Sequence, residues 1–183
     1  NFFTSERRTY EFAERVLGHG ISWWGEARPD TMLQYDDATW RLIKRAGCKM
    51  IFFGAESASQ SVLDLMRKGG TQTPDTTLQL VVKMREVGIV PELSFVLGNP
   101  TESAEEEIER DINYIKQVKR LNPETEIIIY VYSPVFFEEA ELFHAASQYG
   151  FAYPSTLDDW LKPAWQVHDL RKRPVTPWLS DRM

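Results

Sequence analysis

Four apolar segments recur along the chain, each separated from the next by a stretch with helical periodicity. They lie near residues 21–27, 49–54, 91–97 and 126–132. Apolar runs of this kind are typical of parallel strands that are covered on both faces. The alternation of strand and helix therefore predicts βα units that share a parallel sheet.

Helix signals fill the intervals between these strands. Asp36 or Asp37 is placed to cap one helix, and Thr73 followed by Pro74 opens another that ends at Gly88. Ser103 and Glu106 have the spacing of a capping box. Two inward faces are predicted, one on the first helix and one on the helix after Ser103: Tyr10, Ala13, Val16 and Leu17; Ile108, Ile112, Ile115 and Val118.

The pattern predicts an α/β fold, an incomplete (βα) TIM-type barrel with parallel strands. Residues 1–4 have the character of the end of a strand whose beginning is missing. We expect residues 1–150 to form the partial barrel and residues 151–183 to form an extension that packs on it. Within that extension, 155–161 predicts a short capped helix and 163–183 predicts an extended tail.

Composition narrows the function classes. The chain has 183 residues, a net charge of -6 and one short basic cluster, Arg171–Arg173, so we expect no nucleic-acid partner. Apolar runs are far shorter than the roughly 20 residues of a membrane span, and the first residues lack a signal-peptide pattern. These features predict a cytoplasmic protein without a membrane span.

The chain has a single cysteine, Cys48, at the start of an apolar strand. Its neighbours are apolar and no histidine is near it in sequence, so a buried structural thiol is the expected role. One cysteine cannot hold an iron–sulfur cluster, which needs several thiolates.

Polar residues follow the predicted strands where each strand ends. The groups are Glu26 with Arg28, Glu56 with Ser57, Gly98 through Glu102, and Tyr132 with Ser133. Because the carboxyl ends of parallel strands meet on one rim, these residues predict a site for a small-molecule ligand. Two of these groups could be chance helix caps, but four in the same position along the βα units favour a site.

Several of these motifs together resemble the radical S-adenosylmethionine superfamily, and within it the cobalamin-binding, class B methyltransferase-like subgroup. The motifs are Phe2-Phe-Thr4, Glu26-Ala-Arg28 with Asp30, Ala46-Gly-Cys48, Phe53-Gly-Ala-Glu-Ser57, Leu63-Asp-Leu-Met-Arg-Lys68, Leu97-Gly-Asn-Pro-Thr-Glu102 and Tyr132-Ser-Pro134. Two features depart from the family pattern: the three-cysteine loop is absent, and Ser133-Pro-Val-Phe-Phe-Glu138 replaces a common proline-glycine-threonine loop.

The resemblance implies that this chain is the carboxyl-terminal portion only of such a barrel. It would be a fragment of an iron–sulfur enzyme that abstracts hydrogen or transfers methyl groups through a deoxyadenosyl radical. The resemblance also implies S-adenosylmethionine, a 4Fe-4S cluster with ligands outside this chain, and cobalamin on a domain outside it. By similarity, Glu56 and Ser57 would contact the ribose, and Glu26 would lie near the ribose or methionyl end. Arg28 would be a further cofactor-binding residue, and Lys68 would meet the methionyl carboxylate. Val96 and Gly98 would border the adenine.

Two other functions remain open from the sequence. One is a non-catalytic βα interaction domain, and the other is a small hydrolase that uses Glu26 and Glu56 as a carboxylate pair. Because the strand near Trp23 has no predicted neighbour on one side, its edge also predicts pairing with a second copy of the chain.

Overall fold

The computed structural model describes residues 2–68, 71–166 and 176–179. The basic cluster Arg171–Arg173 and much of the predicted tail lie outside the described residues. The elements are α1 (Glu6–Val16), β1 (Trp23–Ala27), α2 (Pro29–Met32), α3 (Asp37–Arg45), β2 (Cys48–Glu56), α4 (Gln60–Leu65), α5 (Pro74–Val87), β3 (Val90–Leu97), α6 (Ala104–Leu121), β4 (Glu126–Val131), α7 (Glu141–Gln148), α8 (Leu157–Trp160) and α9 (Pro163–Gln166).

The described strands form one parallel sheet in the order β1-β2-β3-β4, with every neighbouring pair parallel. β1 and β4 do not pair with each other, so the sheet is open rather than closed into a barrel. The predicted α/β fold, a partial βα barrel, is confirmed. Within the described part of the chain, none of the helices has the length and apolar character needed to cross a bilayer.

Local sequence signals set the helix ends. Asp36 accepts a hydrogen bond from the Thr39 backbone N–H (2.7 Å), which caps α3 as predicted. Thr73 caps α5 in a capping box with Thr76, and Gly88 ends that helix with a left-handed φ of 76°. Glycine suits this position because a side chain there would meet its own backbone.

The sheet has two different faces. The side chains of Ile51, Phe53, Leu93 and Phe95 are buried on the face that carries the helices, where they form the centre of the core. The alternate residues point to the other face, which we call the open face: Trp24, Glu26, Met50, Phe52, Glu92, Ile128 and Tyr130. Alternation along each strand therefore separates a buried face of the sheet, which contributes to stability, from an accessible face.

Three predicted boundaries are wrong. Glu56 lies inside β2, past the predicted strand end at residue 54, because hydrogen bonding to the neighbouring strand continues to this residue. Residues 2–4 are not a strand; one bond, from the Phe2 N–H to the Glu26 carbonyl (3.0 Å), holds them beside β1. Within the predicted extended tail, Pro163–Gln166 is the helix α9.

The inward faces predicted for α1 and α6 are confirmed at most positions, since Ala13, Ile108 and Val118 are buried and Val16 and Ile115 pack against the core. On α1, Thr9 is buried and bonds the Tyr35 hydroxyl, whereas Tyr10 and Leu17 are exposed. On α6, Asp111 is buried and accepts a hydrogen bond from the Ser57 hydroxyl, and Ile112 is 40% exposed. The Ser103 side chain makes no cap hydrogen bond, so the predicted capping box is also wrong.

Candidate functional site

Glu56, the last residue of β2, has an unusual backbone conformation. Its φ is 65°, in the left-handed region that residues with a side chain rarely adopt. The register between β2 and β3 shifts between Gly54 and Glu56, as at a β-bulge. Bulges and left-handed residues redirect side chains, and they cluster at ligand sites.

Lys68 is positioned by the end of α4. The N–H of Arg67 donates to the Asp64 carbonyl and that of Lys68 donates to Leu63, both at 2.9 Å. This is a Schellman motif, in which the residue after the cap takes the left-handed conformation. Arg67 does so with a φ of 52°, and it and Glu56 are the non-glycine residues with positive φ in the described chain.

These two backbone turns bring Glu56 and Lys68 together. The Lys68 Nζ lies 2.6 Å from Glu56 Oε1, and the side chains are 32% and 13% exposed, respectively. The pair rests on Gly54: a Cβ at this position would collide with the Glu56 carboxylate and would lie 3.4 Å from Lys68 Nζ. Glycine at position 54 therefore allows the ion pair to lie directly on the strand backbone.

Arg28 and Asp30 brace the backbone of Lys68. The guanidinium of Arg28 donates to both oxygens of Asp30 (3.0 and 2.9 Å) and to the Lys68 carbonyl (2.7 Å). Burial alone would raise the pKa of Asp30, but hydrogen bonds from Arg28 and Thr71 outweigh it and hold that pKa below its ordinary value. These hydrogen bonds connect the loop after α4 to the end of β1.

A cavity of about 200 Å³ opens at this edge of the sheet. Its lining includes four of the predicted site residues, Glu26, Arg28, Glu56 and Lys68. Gln72 also lines it, buried and donating from Nε2 to the Gly54 carbonyl (2.7 Å). Sequence reasoning missed Gln72, because a single glutamine in a turn carries no periodic or spacing signal.

Ser57 lies next to Glu56 but outside this lining. Its buried hydroxyl donates to Asp111 Oδ1 (2.9 Å) and accepts from the Ser59 N–H (3.0 Å). The Ala58 N–H also donates to Asp111 Oδ1, at 2.5 Å. These bonds fasten the turn after β2 to α6.

Val96 and Gly98 lie at the end of β3, also outside the cavity lining. The Gly98 carbonyl accepts a hydrogen bond from Trp178 Nε1 (3.0 Å), and the Trp178 ring packs on Tyr132 with centroids 5.6 Å apart. A Cβ at Gly98 would lie 2.9 Å from a methyl group of Leu179. In this structure the segment 176–179 covers the position predicted to border adenine.

The thiol in this chain does not suit a metal cluster. Cys48 is buried, and burial raises the pKa of its thiol to about 12, so the thiolate that a metal requires is disfavoured. Among the described residues, no group of three or more His, Cys, Asp and Glu side chains could hold a metal ion. A buried structural thiol, as predicted, agrees with this environment.

The fold matches solved structures of radical S-adenosylmethionine enzymes. The methyltransferase TsrM from Kitasatospora setae, with cobalamin and a 4Fe-4S cluster bound, matches with a TM-score of 0.58 and 19% identity over 79% of this chain and 28% of TsrM. OxsB, a cobalamin-dependent S-adenosylmethionine radical enzyme, matches with a TM-score of 0.53 and 16% identity over 76% of this chain and 19% of OxsB. At these identities the matches show a shared fold.

A curated relative adds a match in sequence. An uncharacterised methyltransferase from Pyrococcus horikoshii is 29% identical over 119 residues, which are 64% of this chain. The chain spans 25% of the length of that relative. No protein-family model matches the chain.

Proposed function

We propose that this chain is part of the barrel of a radical S-adenosylmethionine, methyltransferase-like enzyme, and that the cavity beside Glu56 binds S-adenosylmethionine. The fold of TsrM and OxsB and the methyltransferase relative support this proposal. S-adenosylmethionine would supply an activated methyl group or, after reductive cleavage elsewhere in the complete enzyme, a deoxyadenosyl radical.

The observation that carries the proposal is the position of Glu56. Its carboxylate is held at the carboxyl end of a parallel strand by a left-handed backbone and a glycine beneath it. A carboxylate accepts hydrogen bonds only, so it is matched to the paired hydroxyl groups of a ribose. The carboxyl ends of parallel strands are where βα folds bind ligands.

Lys68 and Arg28 would have different roles. The Lys68 ammonium is a partly exposed point charge suited to a ligand carboxylate, and Glu56 holds it in place until the ligand arrives. Arg28 already bonds Asp30 and the Lys68 backbone, so it would act as a positioning residue. Glu26, which lines the same cavity, would face the ribose or the methionyl ammonium.

The residues of this chain do not fit a 4Fe-4S cluster, because the single thiol is buried with a raised pKa. The ligands of such a cluster are therefore proposed to lie outside this chain. Without iron to chelate the amino and carboxylate groups, binding of S-adenosylmethionine to this chain is expected in the millimolar range, about −4 kcal/mol.

Ligand-observed NMR with S-adenosylmethionine tests the proposal. Glu56→Gln should weaken binding by about tenfold, since it removes a charge-assisted acceptor worth roughly 1.5 kcal/mol or more. Glu109→Gln is the matched control, because this exposed α6 residue carries the same charge and faces away from the cavity. Equal binding by Glu56→Gln and the control would overturn the site.

The same experiment separates the alternative of a non-catalytic βα interaction domain. That function predicts no S-adenosylmethionine binding by the wild-type chain. A pair of free catalytic carboxylates, as in a hydrolase, has less support, because Glu56 is already paired with Lys68 at 2.6 Å.

A further inference from the structure

The open face of the sheet contains a second concave pocket that shares Glu26 and Phe52 with the first. It has a volume of about 440 Å³ and is lined by Trp24, Glu26, Met50, Phe52, Glu92, Ile128 and Tyr130. The walls are therefore aromatic and aliphatic, with two carboxylates. A pocket with mainly apolar walls and a few polar groups is the usual form of a small-molecule site.

The strand register places acidic residues in one row across this face. Glu26 pairs with Phe52, Phe52 with Glu92, and Glu92 with Glu126. Like charges directly opposite each other on neighbouring strands are destabilising, and glutamate is uncommon in strands. Glu92 and Glu126, which lie directly opposite each other, therefore repel in the absence of a cation.

No cation in the described chain neutralises the two carboxylates in the pocket. Among residues 2–68, 71–166 and 176–179, neither Glu26 nor Glu92 has an ion pair or a side-chain hydrogen bond. Arg28 and Lys68 form ion pairs with Asp30 and Glu56 instead. Within the described residues, the negative charge of the pocket is therefore available to a positively charged ligand.

The aromatic walls match a cation with an apolar body. Trp24 is 60% exposed and Tyr130 is 49% exposed, so their rings are accessible to a ligand. Aromatic faces attract ammonium groups, and they also bury apolar carbon. Across two strand spacings, Glu26 and Glu92 are roughly 10 Å apart, so a ligand ammonium at one carboxylate leaves room for an apolar group between them.

We propose that the open face binds a small organic amine, with its ammonium at Glu92 and its apolar body against Trp24, Phe52 and Tyr130. That this amine is the substrate of the enzyme rests on the proposed function, whereas the binding itself does not. In this arrangement Glu92 selects a positively charged ligand, and the aromatic residues select a ligand with an apolar group.

The probes are phenethylamine and 3-phenylpropionate, which carry opposite charges on similar phenylalkyl groups. Saturation-transfer NMR on the wild-type chain should detect phenethylamine with an affinity about tenfold above that of the acid, and added salt should reduce the difference. Glu92→Gln should weaken phenethylamine binding about tenfold, while Glu109→Gln should leave it unchanged. Thermal melts would verify that both variants are folded.

Equal binding of the two probes, or equal binding of phenethylamine by Glu92→Gln and Glu109→Gln, would overturn the inference. The amine site and the S-adenosylmethionine site can be overturned independently of each other. Glu56→Gln should weaken S-adenosylmethionine and spare phenethylamine, and Glu92→Gln should do the reverse. Absence of phenethylamine binding in a chain that binds S-adenosylmethionine overturns this inference alone, and the opposite result overturns the proposed cofactor site alone.

Discussion

The two faces of the sheet are built from the same strands but serve different purposes. On the helix-covered face, Ile51, Phe53, Leu93 and Phe95 are excluded from water and packed together. On the open face, the neighbouring residues Phe52 and Glu92 are only partly buried, and they line a pocket. Stability is concentrated on one face, which leaves the other free to carry charges that a core would not tolerate.

The largest expected effect is a difference in unfolding free energy between alanine substitutions of two adjacent phenylalanines. Phe53→Ala should lower the free energy of unfolding by about 3–5 kcal/mol, because it leaves a cavity in the core. Phe52→Ala should cost about 1 kcal/mol, since that ring is already partly exposed. Urea unfolding of both variants measures the difference. Similar costs would mean that the two faces are equally buried in solution, which would contradict the comparison.

The second prediction concerns Asp111, a buried carboxylate on α6. Asp111→Ala should cost about 2 kcal/mol, because the buried donors Ser57 and Ala58 lose their acceptor. Asp111→Asn keeps an oxygen at that position, so it should lie within about 1 kcal/mol of the wild type at pH 7. Equal losses for both substitutions would exclude this hydrogen-bonding role.

The pH dependence of the Asp111→Asn variant sharpens that result. Burial, opposed by hydrogen bonds from Ala58 and Ser57, raises the pKa of Asp111 above its ordinary value, and Glu107 adds to the rise. The protonated form is therefore favoured by folding. Wild-type stability relative to Asp111→Asn should increase as the pH falls through the folded pKa and should level off below the ordinary carboxyl value, about 4. Urea unfolding at pH 7 and pH 4 measures it, and no change would contradict the assignment.

The smallest effect on stability is expected at Gly54, on the open face. The Cβ of Gly54→Ala would collide with the Glu56 carboxylate, which can rotate away but loses Lys68 in doing so. The change in unfolding free energy should stay within about 1 kcal/mol, because the gain of alanine over glycine in a strand offsets part of the loss.

S-adenosylmethionine binding should nevertheless fall in Gly54→Ala as it does in Glu56→Gln, measured by the same NMR titration. A matched control is Gly18→Ala, at a glycine with no heavy atom within 4 Å of an added Cβ, although its φ of 87° makes a stability cost expected. Unchanged binding in Gly54→Ala would mean that ligand recognition does not depend on the Glu56–Lys68 ion pair, which would contradict the prediction.

Local sequence was sufficient to determine the order of elements and many of their ends. Asp36, Thr73 and Gly88 act within a few residues of themselves, through caps and a left-handed turn, so their effects are visible without a tertiary structure. The apolar strands separated by helices likewise required a parallel sheet, because successive strands joined by a helix run in the same direction. The resemblance in motifs pointed to Glu26, Arg28, Glu56 and Lys68, which line one cavity.

The tertiary structure alone decided where the polar side chains point. Glu56 and Ser57 are adjacent in sequence, yet a register shift and a positive φ send Glu56 to the cavity while Ser57 bonds Asp111 on a helix 54 residues away. On α6, Asp111 is buried beside that distant partner and Ile112 is 40% exposed, although the apolar pattern alone would place Ile112 inward. Such orientations depend on partners far along the chain, and local periodicity contains no information about them.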